Sequence, residues 1–454
     1  MDKYLSRSID QALLEWKDNP RRKPLLVRGA RQVGKSSTIR HLGKNFKYFL
    51  EVNVERNPEV MEFFKGSRDV KSIAAKLSDF FNVPVVPGET LLFLDEIQKC
   101  EDVIHSLWFF KEDYPELHVI AAGSLLEFAL KNLSSFGVGR VSSLFVYPMS
   151  FDEFLTATRQ EGLLRIKRNS SSTNPLPEAF YNRLVEAFRS YMLVGGMPEA
   201  VATYTETGSY RYSSDIVNEI IQGYQDDFAK YGAKANPLLL RQTLISVAHQ
   251  AGAKFVYSRV EGQYRSAEVK VALEMLKDAG LIIPTYHTDA NGVPLGAEIN
   301  ERVVKYLIHD TGVLLGILGI DDDIDERIKE MMVADSIDLV DKGHVAEMMA
   351  GLELIKYSSP QKRHQLYYWQ NMNKGTCAEV DYVIARSGSI VPIEVKSGVK
   401  GSMSSMYSLM RNPQKHIEMG IRCSLENFGT FASPGGKKID IIPLYAISNL
   451  FAEK

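Results

Sequence analysis

Along residues 1 to about 155, short apolar runs alternate with amphipathic stretches. The runs lie at 25–27, 48–52, 91–94, 117–121 and 144–147. Apolar runs too short for helices, separated by segments of helical period, predict strands and helices in alternation. That order belongs to a three-layer α/β domain with a mostly parallel sheet, in which ligands meet the C-terminal ends of the strands.

Beyond this region the pattern changes. Residues from about 156 to 235 read as helical and polar, interrupted by Ser170-Ser171-Ser172-Thr173-Asn174-Pro175, an exposed loop, and by Tyr191-Met192-Leu193-Val194-Gly195-Gly196-Met197-Pro198, which separates two helices. A small helical lid is expected here. Residues 236–295 predict helices over 237–251 and 266–280, then strands at 281–287 and 293–295 turning at Asp289-Ala290-Asn291-Gly292. Two helices and a hairpin resemble a winged helix. Arg259, Arg265, Lys270 and Lys277 would meet phosphates there, but Glu261, Glu268, Glu274 and Asp278 interleave with them, so a packing module competes with a DNA reader. Residues 296–454 close the chain as a further α/β domain.

The richest chemistry follows the first run. Gly29-Ala30-Arg31-Gln32-Val33-Gly34-Lys35-Ser36, with Ser37 after it, stands between an apolar strand and a helix-like stretch. Glycines at this spacing let backbone N–H groups turn toward an anion, Lys35 reaches outer phosphates, and the Ser36 hydroxyl suits Mg²⁺. The run at 91–94 ends in Asp95 and Glu96. Asp95 is placed to hold Mg²⁺ and Glu96 to polarise an attacking water. Ala122-Gly123-Ser124 ends the next strand, where Ser124 either senses a terminal phosphate or caps the following helix. Arg140, in Gly137-Val138-Gly139-Arg140-Val141, is either a phosphate-reaching arginine or a surface residue.

A second constellation lies near the C-terminus. Residues 367–369, 378–384 and 391–396 read as three neighbouring strands whose acids interrupt apolar runs. Glu394 and Lys396 alternate onto one face, Asp381 faces them from the next strand, and Glu347, in an amphipathic segment over 344–354, adds a carboxylate. Carboxylates that bind Mg²⁺ beside a water-activating lysine are what phosphodiester hydrolysis needs. Asp381, Glu394 and Lys396 resemble the PD-(D/E)xK nuclease pattern. A Glu-x-Lys strand is also a common exposed ion pair.

Composition narrows the setting. The 454 residues have room for about three domains, and 54 Lys and Arg against 56 Asp and Glu leave a formal charge of -2. A nucleic-acid surface must therefore be a local patch. Cys100, Cys377 and Cys423 are far apart and show no zinc-like spacing, as expected of reduced thiols. No leader and no membrane-length apolar run is read, so a soluble cytoplasmic protein without a membrane partner is expected.

Several of these segments, with Leu94-Asp95-Glu96-Ile97-Gln98, Tyr147-Pro148-Met149-Ser150-Phe151, Gly195-Gly196-Met197-Pro198-Glu199-Ala200 and His309-Asp310-Thr311-Gly312, make the chain resemble one family from about residue 20 to its end. It is similar to bacterial and archaeal AAA-type P-loop ATPases carrying a C-terminal domain of unknown function, DUF4143. The resemblance implies a P-loop ATPase core, placed over 1–155, and a restriction-endonuclease-like DUF4143 domain, placed over 296–454; the helical lid over 156–235 and the winged-helix-like module over 236–295 are read from the pattern between them. It implies ATP as the nucleotide; Ser36-Ser37 stands where Thr-Thr is more usual, which keeps the metal-binding hydroxyl. Two functions remain open: an ATP-driven nucleic-acid enzyme, and an ATP-dependent switch or scaffold whose C-terminal domain binds DNA or a protein without cutting. A small-molecule kinase fits Asp95-Glu96 less well. Self-association stays open.

Overall fold

The computed structural model describes residues 4–132, 139–231, 236–319, 342–371, 378–398 and 401–451. Gly137, Val138 and Cys377 lie outside the described residues. The chain divides into two compact units: Met1–Tyr147 with Asp278–Leu281 and Ser359–Arg363, and Pro148–Lys277 with Ile282–Ser358 and His364–Lys454.

The first unit is built on five parallel strands in the order β2-β3-β4-β1-β5. They are β1 (Leu25–Arg28), β2 (Tyr48–Asn53), β3 (Thr90–Asp95), β4 (His118–Ala122) and β5 (Ser142–Phe145). Helix α1 (Ile9–Asp18) precedes them, and between them run α2 (Lys35–Gly43), α3 (Met61–Phe64), α4 (Val70–Phe81), α5 (Glu101–Asp113) and α6 (Leu126–Asn132). Leu91, Leu92, Phe93 and Leu94 of β3 are all 0 % exposed. A strand covered on both faces has no polar side to show, which is why its sequence is a continuous apolar run. Each such side chain contributes about 1.5–3 kcal/mol by leaving water. The helices α4 and α5 bring Ile73, Leu77, Leu107 and Phe110 onto this core. Local signals set the helix ends: Asp69 caps α4 by accepting from the Ser72 N–H, and Asn82 leaves it in the left-handed region at φ 51°.

One boundary differs from expectation. The fifth strand, expected over 144–147, starts at Ser142 and pairs with β1 up to Phe145 opposite Arg28. Val146 adds one more bond, to the Arg28 carbonyl. Beyond it the ladder ends because β1 itself turns away at Gly29.

The second unit begins with the helices α7 (Phe151–Ala157), α8 (Glu161–Arg168), α9 (Glu178–Val194), α10 (Pro198–Thr207) and α11 (Tyr210–Asp227). The helical reading of 156–235 thus holds over the residues described. Next come α12 (Pro237–His249), α13 (Ser266–Asp278), β6 (Ile282–Thr288), β7 (Ile299–Ile308) and α14 (Thr311–Ile317). Both helices expected over 236–280 are present. The short wing strand is not: residues 293–295 form no strand, and the partner of β6 is the ten-residue β7. Pro294 lacks an N–H to give a ladder, and Val293 is exposed with nothing to bury. The boundary expected at 295/296 falls inside this hairpin connection.

The remaining elements are α15 (Lys342–Lys356), β8 (Leu366–Gln370), β9 (Glu379–Val380), β10 (Tyr382–Arg386), β11 (Ser389–Val395), α16 (Ser404–Arg411), β12 (Met419–Ser424), β13 (Gly429–Ala432) and β14 (Lys438–Pro443). They complete two sheets, β7-β6-β8-β9 and β10-β11-β12-β14-β13. The three strands expected side by side are therefore split. The segment 378–384 breaks at Asp381: β9 pairs with β8, and β10 pairs with β11. Register explains the break. Asp381 Oδ2 accepts the Val395 N–H at 2.7 Å, so a side chain takes the bond that the β10–β11 ladder would next have made.

Buried charge knits the second unit. Lys167, fully buried, donates to Asp152 and Ser448, while Tyr357 and Arg168 also donate to Asp152. Burial alone would raise the Asp152 carboxyl, but Lys167 beside it holds it below the usual range.

In the first unit, His118 of β4 lies edge-on to Trp16 and Phe46. Its Nε2 meets the Lys17 carbonyl at 3.1 Å, so Nε2 carries the proton, and Nδ1 is buried without a partner. Burial, with nearby Arg22, lowers its pKa to about 4. The folded imidazole is thus neutral where the unfolded one binds a proton, and stability falls as pH drops from about 6.5 toward 4. Thermal melting between pH 7 and 4 should show that loss, and His118→Gln should flatten it; parallel curves would rule out His118 as its source.

Candidate functional site

After β1 the chain enters Gly29 at φ 148°, passes Gln32 at φ 63°, and reaches Gly34 at φ 94° immediately before α2. A side chain on Gly29 would strike the Val146 carbonyl, 2.2 Å from its Cβ position. Only glycine fits there. No side chain caps the start of α2, so its first amides are left for an anion. Arg7, from the segment before α1, steadies the loop by donating to the carbonyls of Val33 at 2.9 Å and Tyr147 at 2.7 Å.

Within this loop Ala30 and Val33 are buried, Arg31 and Ser36 half-buried, and Gln32 and Ser37 exposed. Lys35 is buried and folds back onto the loop, donating to Gly29 O at 3.0 Å and Ala30 O at 2.7 Å. Burial lowers its pKa to about 8, against the pull of the Glu96 and Asp95 charges. Ser36 Oγ donates to Asp95 Oδ2 at 3.1 Å. Asp95, at the tip of β3, is raised above its ordinary value by burial and then by the charge of Glu96, while the Glu96 N–H and the Ser36 hydroxyl oppose the rise.

Glu96 follows in the left-handed region at φ 54°, uncommon for a residue with a side chain. Its Oε2 accepts from Ser124 Oγ at 3.1 Å and Gln98 Nε2 at 2.5 Å. Ser124, expected either at a phosphate or on a helix end, here holds Glu96. Arg140 is placed elsewhere: its Nε donates to Glu112 at 2.7 Å and its guanidinium lies 4.2 Å from the centre of the Trp108 ring, both on α5. A hydroxyl and a carboxylate already in contact, beside an anion cradle, fit a hydrated Mg²⁺.

The C-terminal constellation assembles in the second unit. Glu347 of α15 and Glu394 of β11 are buried, and Asp381 stands at the β9–β10 break. Lys396 Nζ donates to Glu394 Oε1 at 2.6 Å, and Glu394 Oε2 is buried with no hydrogen bond. Lys305 of β7, which the sequence reading missed, is 1 % exposed and donates to Glu347 at 2.8 Å and Glu379 at 2.5 Å. A lone lysine in the apolar stretch Val303-Val304-Lys305-Tyr306-Leu307-Ile308 was the signal for it.

Four acids here face two lysines, so protons are held near neutral pH. Burial raises Glu347 to about 8, with Lys305 opposing and Asp381 adding to the rise. Burial and Asp381 raise Glu394 to about 7. An orphaned oxygen on Glu394 beside Asp381 suits a cation. Glu347 Oε1 is bonded to Lys305, and among the described residues no three acidic, histidine or cysteine side chains form a ready metal cluster.

Family comparison matches three stretches of the chain: an AAA domain at 21–155, a domain of unknown function, DUF8612, at 185–324, and a second, DUF4143, at 342–447. Residues 21–155 are an AAA domain. No curated protein matches the chain. The AAA domain contains the loop, Asp95, Glu96, Ser124 and Arg140. The DUF8612 match runs across 235/236 and 295/296, where separate modules were expected, and takes in the β6–β7 hairpin. Among the described residues no helix is long and apolar enough to cross a membrane. Cys423 is buried and Cys100 half-buried, both free thiols.

Removing Lys305 strands Glu347 and Glu379. Lys305→Met should destabilise the protein by about 3 kcal/mol, the usual cost of breaking a buried pair, and adding Glu347→Gln should recover part of it. Urea unfolding measures both; no loss in the single variant would mean that the ammonium does not compensate these acids.

Proposed function

We propose that the chain is a Mg²⁺-dependent ATPase whose phosphate site is the loop Gly29–Ser37. The observation that carries this reading is the gathering of Lys35, Ser36, Asp95, Glu96 and Ser124 at strand tips of one parallel sheet. Lys35 exchanges the Gly29 and Ala30 carbonyls for outer phosphate oxygens. Ser36 and Asp95 would hold Mg²⁺, which neutralises charge on the phosphates when bound. Glu96 accepts a proton from the attacking water, and Ser124 keeps that carboxylate in place. The choice of ATP rests on the likeness to AAA domains. Arg140, engaged by α5, has a route to a phosphate in trans, in a self-associated assembly.

For the rest of the chain we propose that nucleotide state is coupled to nucleic acid through the winged-helix-like region and the C-terminal domain, read as nuclease-like from Asp381, Glu394 and Lys396. The helical lid over 156–235 stays a separate functional segment. Residues 236–295 and 296–454 join across the β6–β7 hairpin. A second reading, a switch whose C-terminal domain binds DNA or a protein without cutting, is favoured by one observation: Lys305 already engages Glu347.

Calorimetry with ATP and Mg²⁺ should show Lys35→Ala weakening binding about 100-fold, as expected for charge-assisted bonds lost. Glu96→Gln should still bind ATP but turn over about 100-fold more slowly. Wild-type affinity in Lys35→Ala would exclude the loop. Incubation with single- and double-stranded DNA and RNA, with Mg²⁺ or Mn²⁺, separates the two readings: cleavage lost in Lys396→Ala supports the nuclease, and binding without cleavage in both proteins supports the switch.

A further inference from the structure

Glu96 has a partner outside the residues assigned so far. The strand tip at Asp95 is followed by Glu96 in a left-handed turn and by a short 3₁₀ turn over Ile97–Lys99. That turn brings Gln98 back over the strand tip. Its Nε2 lies 2.5 Å from Glu96 Oε2, the same oxygen that accepts from the Ser124 hydroxyl at 3.1 Å and the Ser124 N–H at 3.4 Å. Three donors on one oxygen fix the plane of the carboxylate and leave Oε1 for water.

The other end of the Gln98 amide is unusual. Its Oε1 is buried with no hydrogen-bond partner, which carries a cost of about 1–3 kcal/mol. It sits against Gly123, where a Cβ would come within 2.0 Å of Oε1 and 3.1 Å of Cδ. The missing side chain at Gly123, at the end of β4, is the space that the Gln98 amide occupies. A buried amide with an unmet oxygen is tolerated where a second requirement holds it, and the hydrogen bond to Glu96 is that requirement.

We propose that Gln98 is a positioning residue for Glu96, seated by Gly123, and that it sets the orientation in which Glu96 receives the proton of the attacking water. The inference rests on the ATPase reading above. It acts on turnover and leaves nucleotide binding alone, because the Gln98 bond falls on Glu96, which is not among the residues that take the phosphates in that reading.

The test is steady-state ATP hydrolysis by the full-length protein, with ATP affinity from calorimetry and melting temperature as a check on folding. Gln98→Ala should lower kcat about 10-fold with KM and Kd unchanged, in line with a lost supporting hydrogen bond to a proton acceptor. Gly123→Ala should do the same, since its methyl group displaces only the flexible end of Gln98. The double variant should be no slower than either single one, because both remove one contact. Wild-type kcat in a folded Gln98→Ala, or additive losses in the double variant, overturns the proposal while the ATPase stands. Absence of hydrolysis by the wild-type protein removes the ATPase reading and this inference with it.

Discussion

Parallel register is the constraint on which the first unit depends. Val27 of β1 and Leu94 of β3 flank consecutive residues of β4, Ala122 and Ala121. The three strands therefore end at one level, although β4 separates β1 from β3 in the sheet. That alignment lets the Ser36 hydroxyl, on the helix after β1, reach the Asp95 carboxylate at the tip of β3, and lets Ser124, beyond β4, reach Glu96. A one-residue slip in any of these pairs would send the polar side chain to the opposite face.

Charge is handled differently in the two units. Lys35 is buried with only backbone carbonyls to bond, and its charge is disfavoured by burial. Such a group is weakly held and can exchange its partners for an anion. Lys305 is equally buried but holds two carboxylates, which outweigh burial and keep its pKa above the ordinary value. Its ammonium serves as an internal counter-ion to Glu347 and Glu379. The same physics, burial of an amine, thus yields an exchangeable group in one case and a fixed one in the other.

Other motifs singled out in the sequence turn out to bind one another. Asp310 accepts from the Gly196 N–H at 2.6 Å and also caps α14 through the Val313 N–H at 3.2 Å. The backbone of Gly196 approaches Met149 so closely that a Cβ would lie 2.3 Å from its carbonyl oxygen. Residues from three distant stretches, Met149, Gly195-Gly196 and Asp310, are packed into one junction of the second unit. Their residue types follow from close backbone approach and capping, with no ligand required.

What the sequence by itself determined was local. Apolar runs marked β1 to β4, glycine spacing marked the loop, and helical period marked α12, α13 and the helix that carries Glu347, because these depend on the solvent preference and backbone freedom of neighbouring residues. Tertiary structure decided which distant groups meet. Lys305 reaches Glu347 on α15 and Glu379 on β9 although β7 and β9 are the outer strands of their sheet, Arg140, in a turn, settles on Trp108 and Glu112 of α5, and Asp381 divides two sheets by capturing one N–H of β11. The wing strand failed for a related reason: ladder pairing of β6 needed a run of backbone donors, which Pro294 interrupts and the ten residues of β7 supply. Pairing between residues far apart in the chain is a property of register and packing, and no single stretch of sequence carries it.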